Sequence, residues 1–359
     1  MKGKAAVFTG VDKPIEIREY PLSPVKPEEV LVRISMCSVC GSDYHTWAGH
    51  RPGRTPSILG HEITGKIVEL GIGIKQDVLG NLLNVGDRIT WSLYSNCGSC
   101  YFCRVAMLPQ KCINLYKYGH ESCEKAPYFN GGFAEYIYLR SGTAILKVPD
   151  ELSDEEVTPI NCSTSTVAAC LDYSSFKSGD FVVVQGVGML GINACAMLKD
   201  RGAGWVVAID VDKNRLDMAQ KFGADELINV QDNTIDRITY RGQNPDLVIE
   251  ATGDPSMIPL GLKLLRIGGS YSLLGLVSPG AHVEIDGYTI VSKHLTIQGI
   301  HNYHTRHLVQ ALDFIYRAKN RFPFKELTTR HFPLAETEQA LQLFANKEAV
   351  RPVIVPGMD

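Results

Sequence analysis

The chain has 359 residues, enough for two cores of ordinary domain size. Hydrophobic residues at 45% and charged residues at 21% suit a globular protein, and a formal charge of −3 without a basic run argues against nucleic acid as a partner. No apolar run is long enough to cross a bilayer, and the opening Met1-Lys2-Gly3-Lys4-Ala5-Ala6-Val7-Phe8 reads as a strand, so no membrane partner and a cytoplasmic location are expected.

Through residue 150, short runs of Val and Ile are broken by Gly and Pro, as in Glu29-Val30-Leu31-Val32-Arg33-Ile34 and Thr64-Gly65-Lys66-Ile67-Val68-Glu69. This texture predicts an irregular β-rich domain. Ser153-Asp154-Glu155-Glu156 fits a capping box opening a helix. From Ser178-Gly179-Asp180 onward the texture changes to alternating strands and helices. Strands are expected at Phe181-Val182-Val183-Val184, Trp205 to Ile209, Asp246 to Glu250 and Gly269 to Leu274, with helices over Leu190–Arg201 and Lys213–Phe222. Such alternation predicts βαβ units and a parallel sheet. The pattern fades near residue 300, where Val309–Ala318 reads as a helix and Val350–Val355 as a strand returning to the first domain.

Gly186-Val187-Gly188-Met189-Leu190-Gly191 is G-x-G-x-x-G, set between a strand and a helix, and Asp210 ends the next strand. Alone the glycine pattern is weak; with these neighbours it is a dinucleotide fingerprint. The first glycine permits the tight turn, the second lets backbone approach a pyrophosphate, and the third lets helix and strand pack. Free N–H groups at Met189 and Leu190 then face the phosphates. An acid at Asp210 accepts from ribose hydroxyls and repels a 2′-phosphate, which favours NAD over NADP. Arg215, on the following helix, is a further candidate cofactor contact.

In a reducing compartment the 10 cysteines read as metal ligands or core thiols before disulfides. Cys97-x2-Cys100-x2-Cys103-x8-Cys112 suits a closed tetrahedral zinc site of four thiolates. A second, open site draws on Cys40, His61 and, farther along, Cys162. Singly, each of the three reads equally well as a core or structural residue. Cys37, Cys170 and Cys195 lie in apolar contexts and read as core.

Gly60-His61-Glu62-Ile63-Thr64-Gly65 with Gly71, the stretch Cys40-Gly41-Ser42-Asp43-Tyr44-His45, and Cys162 with Ser165-Thr166 together resemble the zinc-containing medium-chain alcohol dehydrogenases, over essentially the whole chain. The resemblance implies an α/β architecture: a GroES-like β-rich catalytic domain plus a Rossmann domain with a doubly wound parallel sheet. The expected boundaries are 1–163 for the catalytic domain, with a structural-zinc lobe near 95–115, 164–302 for the NAD-binding domain, and 303–359 for a return to the first. It also implies two zinc ions per chain, NAD as cofactor, and a homodimer or homotetramer. Cys40, His61 and Cys162 would hold the catalytic zinc, and Glu62 would sit beside it or alternate as a ligand. Ser42 would open a proton relay that runs through the cofactor ribose to His45, Cys40 to His45 forming a loop, and Thr166 would approach the nicotinamide. One departure is the spacing from Cys103 to Cys112, a residue longer than the family pattern; Cys123 is an alternative fourth ligand.

The expected reaction is reversible hydride transfer between a primary or secondary alcohol and NAD. The metal lowers the pKa of the alcohol, and a neutral His45, whose ordinary pKa is about 6.5, takes the proton. Trp47, Arg51 and Leu93, with Trp91, are candidate substrate-pocket residues. Arg51 and Arg54 are suited to an anionic group, and Val85–Ser92 and Lys117-Tyr118-Gly119-His120-Glu121 resemble dehydrogenases associated with phosphonate catabolism. A hydroxyalkylphosphonate or another small anionic alcohol is therefore a candidate substrate. The rival readings are a zinc-free quinone or enone reductase of the same fold and a non-catalytic NAD-binding sensor.

Overall fold

A computed structural model describes residues 1–358 apart from 232–234, 236, 237 and 329. The chain divides into two compact units. One comprises 1–162, 304–319 and 324 onward; the other comprises 163–303 and 320–323.

The first unit is built on two sheets. A small antiparallel sheet runs Glu16–Pro21, Lys2–Phe8, Ser57–Ile58. The larger sheet has eight strands, its main path running Arg330–Phe332, Pro352–Ile354, Val30–Ser38, Glu62–Leu70, Arg88–Ser95, Tyr116–Lys117. Tyr136–Leu139 adds to Val30–Ser38, and Thr143–Lys147 to Arg88–Ser95. The β-branched runs of the sequence supply the buried faces: Val30, Val32, Ile34, Ile63, Ile67 and Ile89 join Phe129 and Phe133 in one core. The closing strand pairs antiparallel with Val30–Ser38, placing Val353 opposite Ser38 and Ile354 opposite Cys37. That pairing brings Arg351 to the metal-binding end of the sheet.

Helix Thr305–Ala318 begins four residues before the periodic stretch at Val309, because His304 caps it: its Nδ1 accepts from the Arg306 N–H at 3.1 Å. The short helix Asp154–Val157 starts where the capping box predicts, with the Glu156 carboxylate accepting from the Ser153 N–H at 2.7 Å. The segment after Cys40 corrects an expectation. It is a helix, Gly41–Trp47, and not a loop. Seven residues are too few to show a helical period.

The second unit is a six-stranded parallel sheet in the order Glu226–Asn229, Trp205–Asp210, Phe181–Gln185, Leu247–Glu250, Ser270–Leu273, Thr296–Gly299. This is the 3-2-1-4-5-6 order of a doubly wound fold, in which ligands bind where the order reverses. Every residue of Phe181–Gln185 is buried, as a strand covered on both faces must be. The edge strands Glu226–Asn229 and Thr296–Gly299 have no apolar run and leave no mark on the sequence pattern.

Candidate active site and metal centres

Four ligand atoms from Cys40, His61, Glu62 and Cys162 lie within 4.8 Å of one another. Cys40 precedes helix Gly41–Trp47, His61 immediately precedes and Glu62 opens the strand Glu62–Leu70, and Cys162 sits in a single π-helical turn, Ile160–Thr164. Such turns recur at functional sites, because the wide turn re-aims a side chain.

Asp43, fully buried, ties these pieces together. Its carboxylate accepts from the N–H groups of Cys40 at 2.9 Å and Gly60 at 3.0 Å, and lies 3.2 Å from His61 Nδ1. A proton on Nδ1 leaves Nε2 as the free ligand atom. Ser42 Oγ is 3.4 Å from that Nε2. Glu62 is also fully buried; it accepts from Ser38 Oγ and pairs with the Arg351 guanidinium, which in turn donates to the Val39 carbonyl.

The electrostatics suit a cation. Burial opposes a charge on His61, yet Asp43 and Cys40 outweigh it and raise the imidazole to about 10. A bond from Cys162, with Arg351 and His61 nearby, holds the Cys40 thiol well below its usual value, while Cys162 is pushed up. Burial lifts Glu62 to about 8 against the pull of Arg351. Two soft sulfurs, an imidazole and a carboxylate fit zinc.

The second group, Cys97, Cys100, Cys103 and Cys112, also lies within 4.8 Å. Cys112 Sγ is 3.4 Å from Cys97 and 3.9 Å from Cys100, and Cys100 is 3.5 Å from Cys103. Backbone N–H groups of Cys97 and Asn114 point at Cys112 Sγ, both at 3.3 Å. Bonds from the Ser99 backbone and hydroxyl lower Cys97 to about 5. Four sulfurs so placed fit a closed zinc site. The long spacing is taken up by the helix Tyr101–Arg104, a left-handed Met107 (φ 54) and a 3-10 turn at Pro109–Lys111. Cys123 lies in the hydrophobic core with Cys37, so the fourth position is that of Cys112. Cys170 and Cys195 are buried, as expected.

In the second unit, Gly186 has φ +83, and a Cβ on Gly191 would lie 2.0 Å from the Gly186 carbonyl oxygen. A Cβ on Gly188 meets nothing within 4 Å. The fingerprint thus divides into two glycines required by the turn and one that leaves open space, which fits a pyrophosphate. Gly188 begins the helix Met189–Asp200 without a side-chain cap, so the N–H groups of its first turn face that space. Asp210 Oδ2 accepts from the Val187 N–H at 2.8 Å, and Oδ1 accepts from Val211 and Asp212. A carboxylate offers about four lone-pair sites, so capacity for a ribose hydroxyl remains. Glu250, unsignalled in the sequence, is fully buried at the reversal point and accepts from Thr252, Gly253 and Gly275 N–H groups. Thr166 is the second residue of helix Ser165–Tyr173, and Arg215 lies half-buried in Lys213–Lys221.

The substrate candidates divide. Trp91 is fully buried in the core of the first unit and Trp47 packs against that core; Leu93 is buried in Arg88–Ser95. Arg51 lines a cavity of about 370 Å³ with Thr46, Arg54, Gly119, His120 and Glu121. Arg54 is paired with Glu121. His45, one turn after Ser42, is 3.4 Å from His50 and half-buried; burial first, then His50, lowers its pKa.

Comparison with known proteins agrees. The alcohol dehydrogenase GroES-like domain matches residues 26–150, and the zinc-binding dehydrogenase domain residues 189–317. The 5-exo-hydroxycamphor dehydrogenase of Pseudomonas putida is 31% identical over 98% of each chain. The L-threonine 3-dehydrogenase of Symbiobacterium thermophilum is 30% identical over 95% of this chain and 94% of its own. The crystal structure of an alcohol dehydrogenase from Thermotoga maritima is 32% identical, covers 99% of both chains and superposes with a TM-score of 0.93. The chain belongs to the zinc-binding medium-chain alcohol dehydrogenases, whose ligand set for zinc is two cysteines and a histidine. Its reaction is accordingly the NAD-dependent, zinc-dependent oxidation of an alcohol. No helix among the described residues is long and apolar enough to cross a membrane.

Proposed function

We propose that the chain interconverts a small anionic alcohol, such as a hydroxyalkylphosphonate, with its carbonyl partner. The observation carrying the reading is the convergence of Cys40, His61 and Cys162 with Ser42 Oγ 3.4 Å from His61 Nε2. Zinc held by Cys40, His61 and Cys162 supplies a Lewis acid for the alcohol oxygen, and NAD supplies the hydride acceptor.

The chain's own residues do the rest. Asp43 fixes the His61 ring, and Arg351 holds Glu62 in place beside it. Ser42 Oγ accepts the hydroxyl proton while releasing its own along the relay. His45 lies three residues on, on the same helix face; its neutral imidazole takes the relayed proton and gives it to solvent. Gly186, Gly188 and Gly191 shape the phosphate cradle, with Met189 and Leu190 at its helix end. Asp210 and Arg215 take the adenosine side, and Thr166 the nicotinamide side. On this reading the catalytic domain is 1–163 with 303–359, and the NAD-binding domain 164–302.

Anionic preference is supported by Arg51, which lines the cavity while Arg54 beside it is already paired. A zinc-free reductase has no use for the three ligands together, and a sensor has none for a Ser42–His45 relay. A cytoplasmic setting is supported by cysteines that gather as metal ligands or sit in the core as thiols. A homodimer or homotetramer is expected by family, with neither nucleic acid nor membrane as partner; light scattering decides the number.

The test is an NAD-reduction screen over neutral alcohols, polyols and hydroxyphosphonates, with zinc counted per chain. A clear alcohol hit with two zinc ions supports the reading. Turnover unchanged after zinc removal overturns it.

A further inference from the structure

Beside the catalytic centre the chain places positive charge that no carboxylate among the described residues pairs. Lys117 ends the strand Tyr116–Lys117, which pairs with the last residues of Arg88–Ser95 through Tyr94 opposite Lys117. The pairing holds the half-buried side chain where the Cys40 and Cys162 thiols act on its charge, together with the cations of Arg51 and Lys111. Burial first, then Arg51, lowers this amine to about 8 against the opposing pull of the two thiols. Among the described residues, neither Lys117 nor Arg51 has a carboxylate within ion-pair distance, whereas Arg54 has Glu121.

His120 adds a polar wall. Its N–H donates to the Lys117 carbonyl at 3.2 Å, and its ring lies 5.2 Å from that of His61. Its Nε2 is buried without a hydrogen-bond partner, which costs about 1–3 kcal/mol in a site that stays empty. Arg51 and His120 both line the cavity of about 370 Å³. Partly desolvated cations without a carboxylate partner are destabilising in a structural role and useful in a binding one.

We propose that Lys117 and Arg51 form an anion subsite that takes the tetrahedral dianion, phosphonate or phosphate, of a short hydroxyalkyl substrate whose hydroxyl reaches Cys40, His61 and Cys162. Two cations match two negative charges; the arginine fork takes two oxygens, and the lysine ammonium takes the third as a point charge. The hydroxyl end of this assignment rests on the alcohol dehydrogenase reading; the anion end stands on the cations alone. Lys117 belongs to neither the zinc signature nor the nucleotide fingerprint; it opens the Lys117–Glu121 stretch already noted in the sequence, and the strand pairing fixes its backbone opposite Tyr94.

The experiment compares zinc-loaded wild type, Lys117→Met, Lys117→Arg and Arg51→Met. Substrates are 2-hydroxyethylphosphonate, 2-hydroxyethyl phosphate, 3-hydroxypropionate and 1-propanol, and zinc content confirms each variant is intact. Direct binding of methylphosphonate is measured by calorimetry. A hydrogen bond to a charged group is worth about 1.5–3 kcal/mol, so the ratio of kcat/KM for the dianion over 1-propanol falls roughly 10- to 100-fold in Lys117→Met and in Arg51→Met. Lys117→Arg recovers most of it. Phosphonate and phosphate are distinguished by which gives the higher ratio in wild type. An unchanged ratio in both Met variants overturns the subsite, as does a preference for 3-hydroxypropionate. Oxidation of 1-propanol without methylphosphonate binding removes the subsite and leaves the dehydrogenase. Methylphosphonate binding that is lost in Lys117→Met, with no alcohol turned over, keeps the subsite and removes the proposed reaction.

Discussion

At the catalytic centre the position of His61 depends on Asp43, which spends its two oxygens on Cys40, Gly60 and the imidazole. Asp43→Asn keeps the shape but loses an acceptor toward His61 Nδ1, and partners of this kind set ligand orientation at metal sites. Zinc affinity of the catalytic site is expected to fall roughly 10- to 100-fold, read by competition with a chromophoric chelator; unchanged retention would show that Asp43 only caps its helix. His45 gives a second prediction. Burial and His50 hold its pKa below the ordinary value, so the neutral, proton-accepting form persists to lower pH than a free imidazole would. The acid limb of the kcat/KM profile therefore has its midpoint below about 6.5. In His45→Gln that limb flattens and the rate near pH 7 drops by about 10-fold or more. A limb that persists unchanged assigns the proton to another group. Cys40, His61 and Cys162, each equally readable alone as a core residue, were legible together because their motifs and the nucleotide fingerprint resemble one family. Asp43 and Arg351 were not, since their roles depend on burial and on a chain reversal that joins residue 351 to residue 62.

Elements carry the cofactor site. The turn from Phe181–Gln185 into Met189–Asp200 assigns its glycines different duties, and substitution separates them. Gly191→Ala puts a Cβ 2.0 Å from the Gly186 carbonyl, a distance only backbone movement relieves. It is expected to lower the melting temperature and NADH affinity together. Gly188→Ala meets no protein atom within 4 Å, so it folds normally and loses NADH affinity alone, followed by fluorescence titration. Equal melting temperatures for the two variants would contradict the division. The sequence announced this turn because glycines, strand and helix sit within one short stretch and use local rules. It understated the helix Gly41–Trp47, whose seven residues depend on Asp43 bonding back to the Cys40 N–H and not on periodicity. Strand Thr296–Gly299 was silent for another reason: it is an edge strand, and half of its residues are exposed.

For the whole molecule, the distribution of metal ligands separates the fates of the two units. Both ligand groups, from Cys40 through Cys162, fall in the unit that begins at Met1. The glycine turn, Asp210 and Glu250 belong to the other, which has its own core of Val183, Val207, Ile209, Val248 and Leu262. Thiolates that converge without metal repel once ionised, so zinc binding in the first unit is coupled to its folding. A ligand present at 1,000 times its dissociation constant contributes about 4 kcal/mol, enough to move a melting midpoint by roughly 10 °C in a unit of this size. Chelation is therefore expected to lower one calorimetric transition and abolish alcohol oxidation, while NADH still binds with enhanced fluorescence. Cys112→Ser refines the test: zinc falls from two to one per chain and the same transition drops, because the loss is confined to the lobe around Cys97–Cys112. Loss of NADH binding in step with zinc would show that the sheet of the second unit depends on metal held by the first.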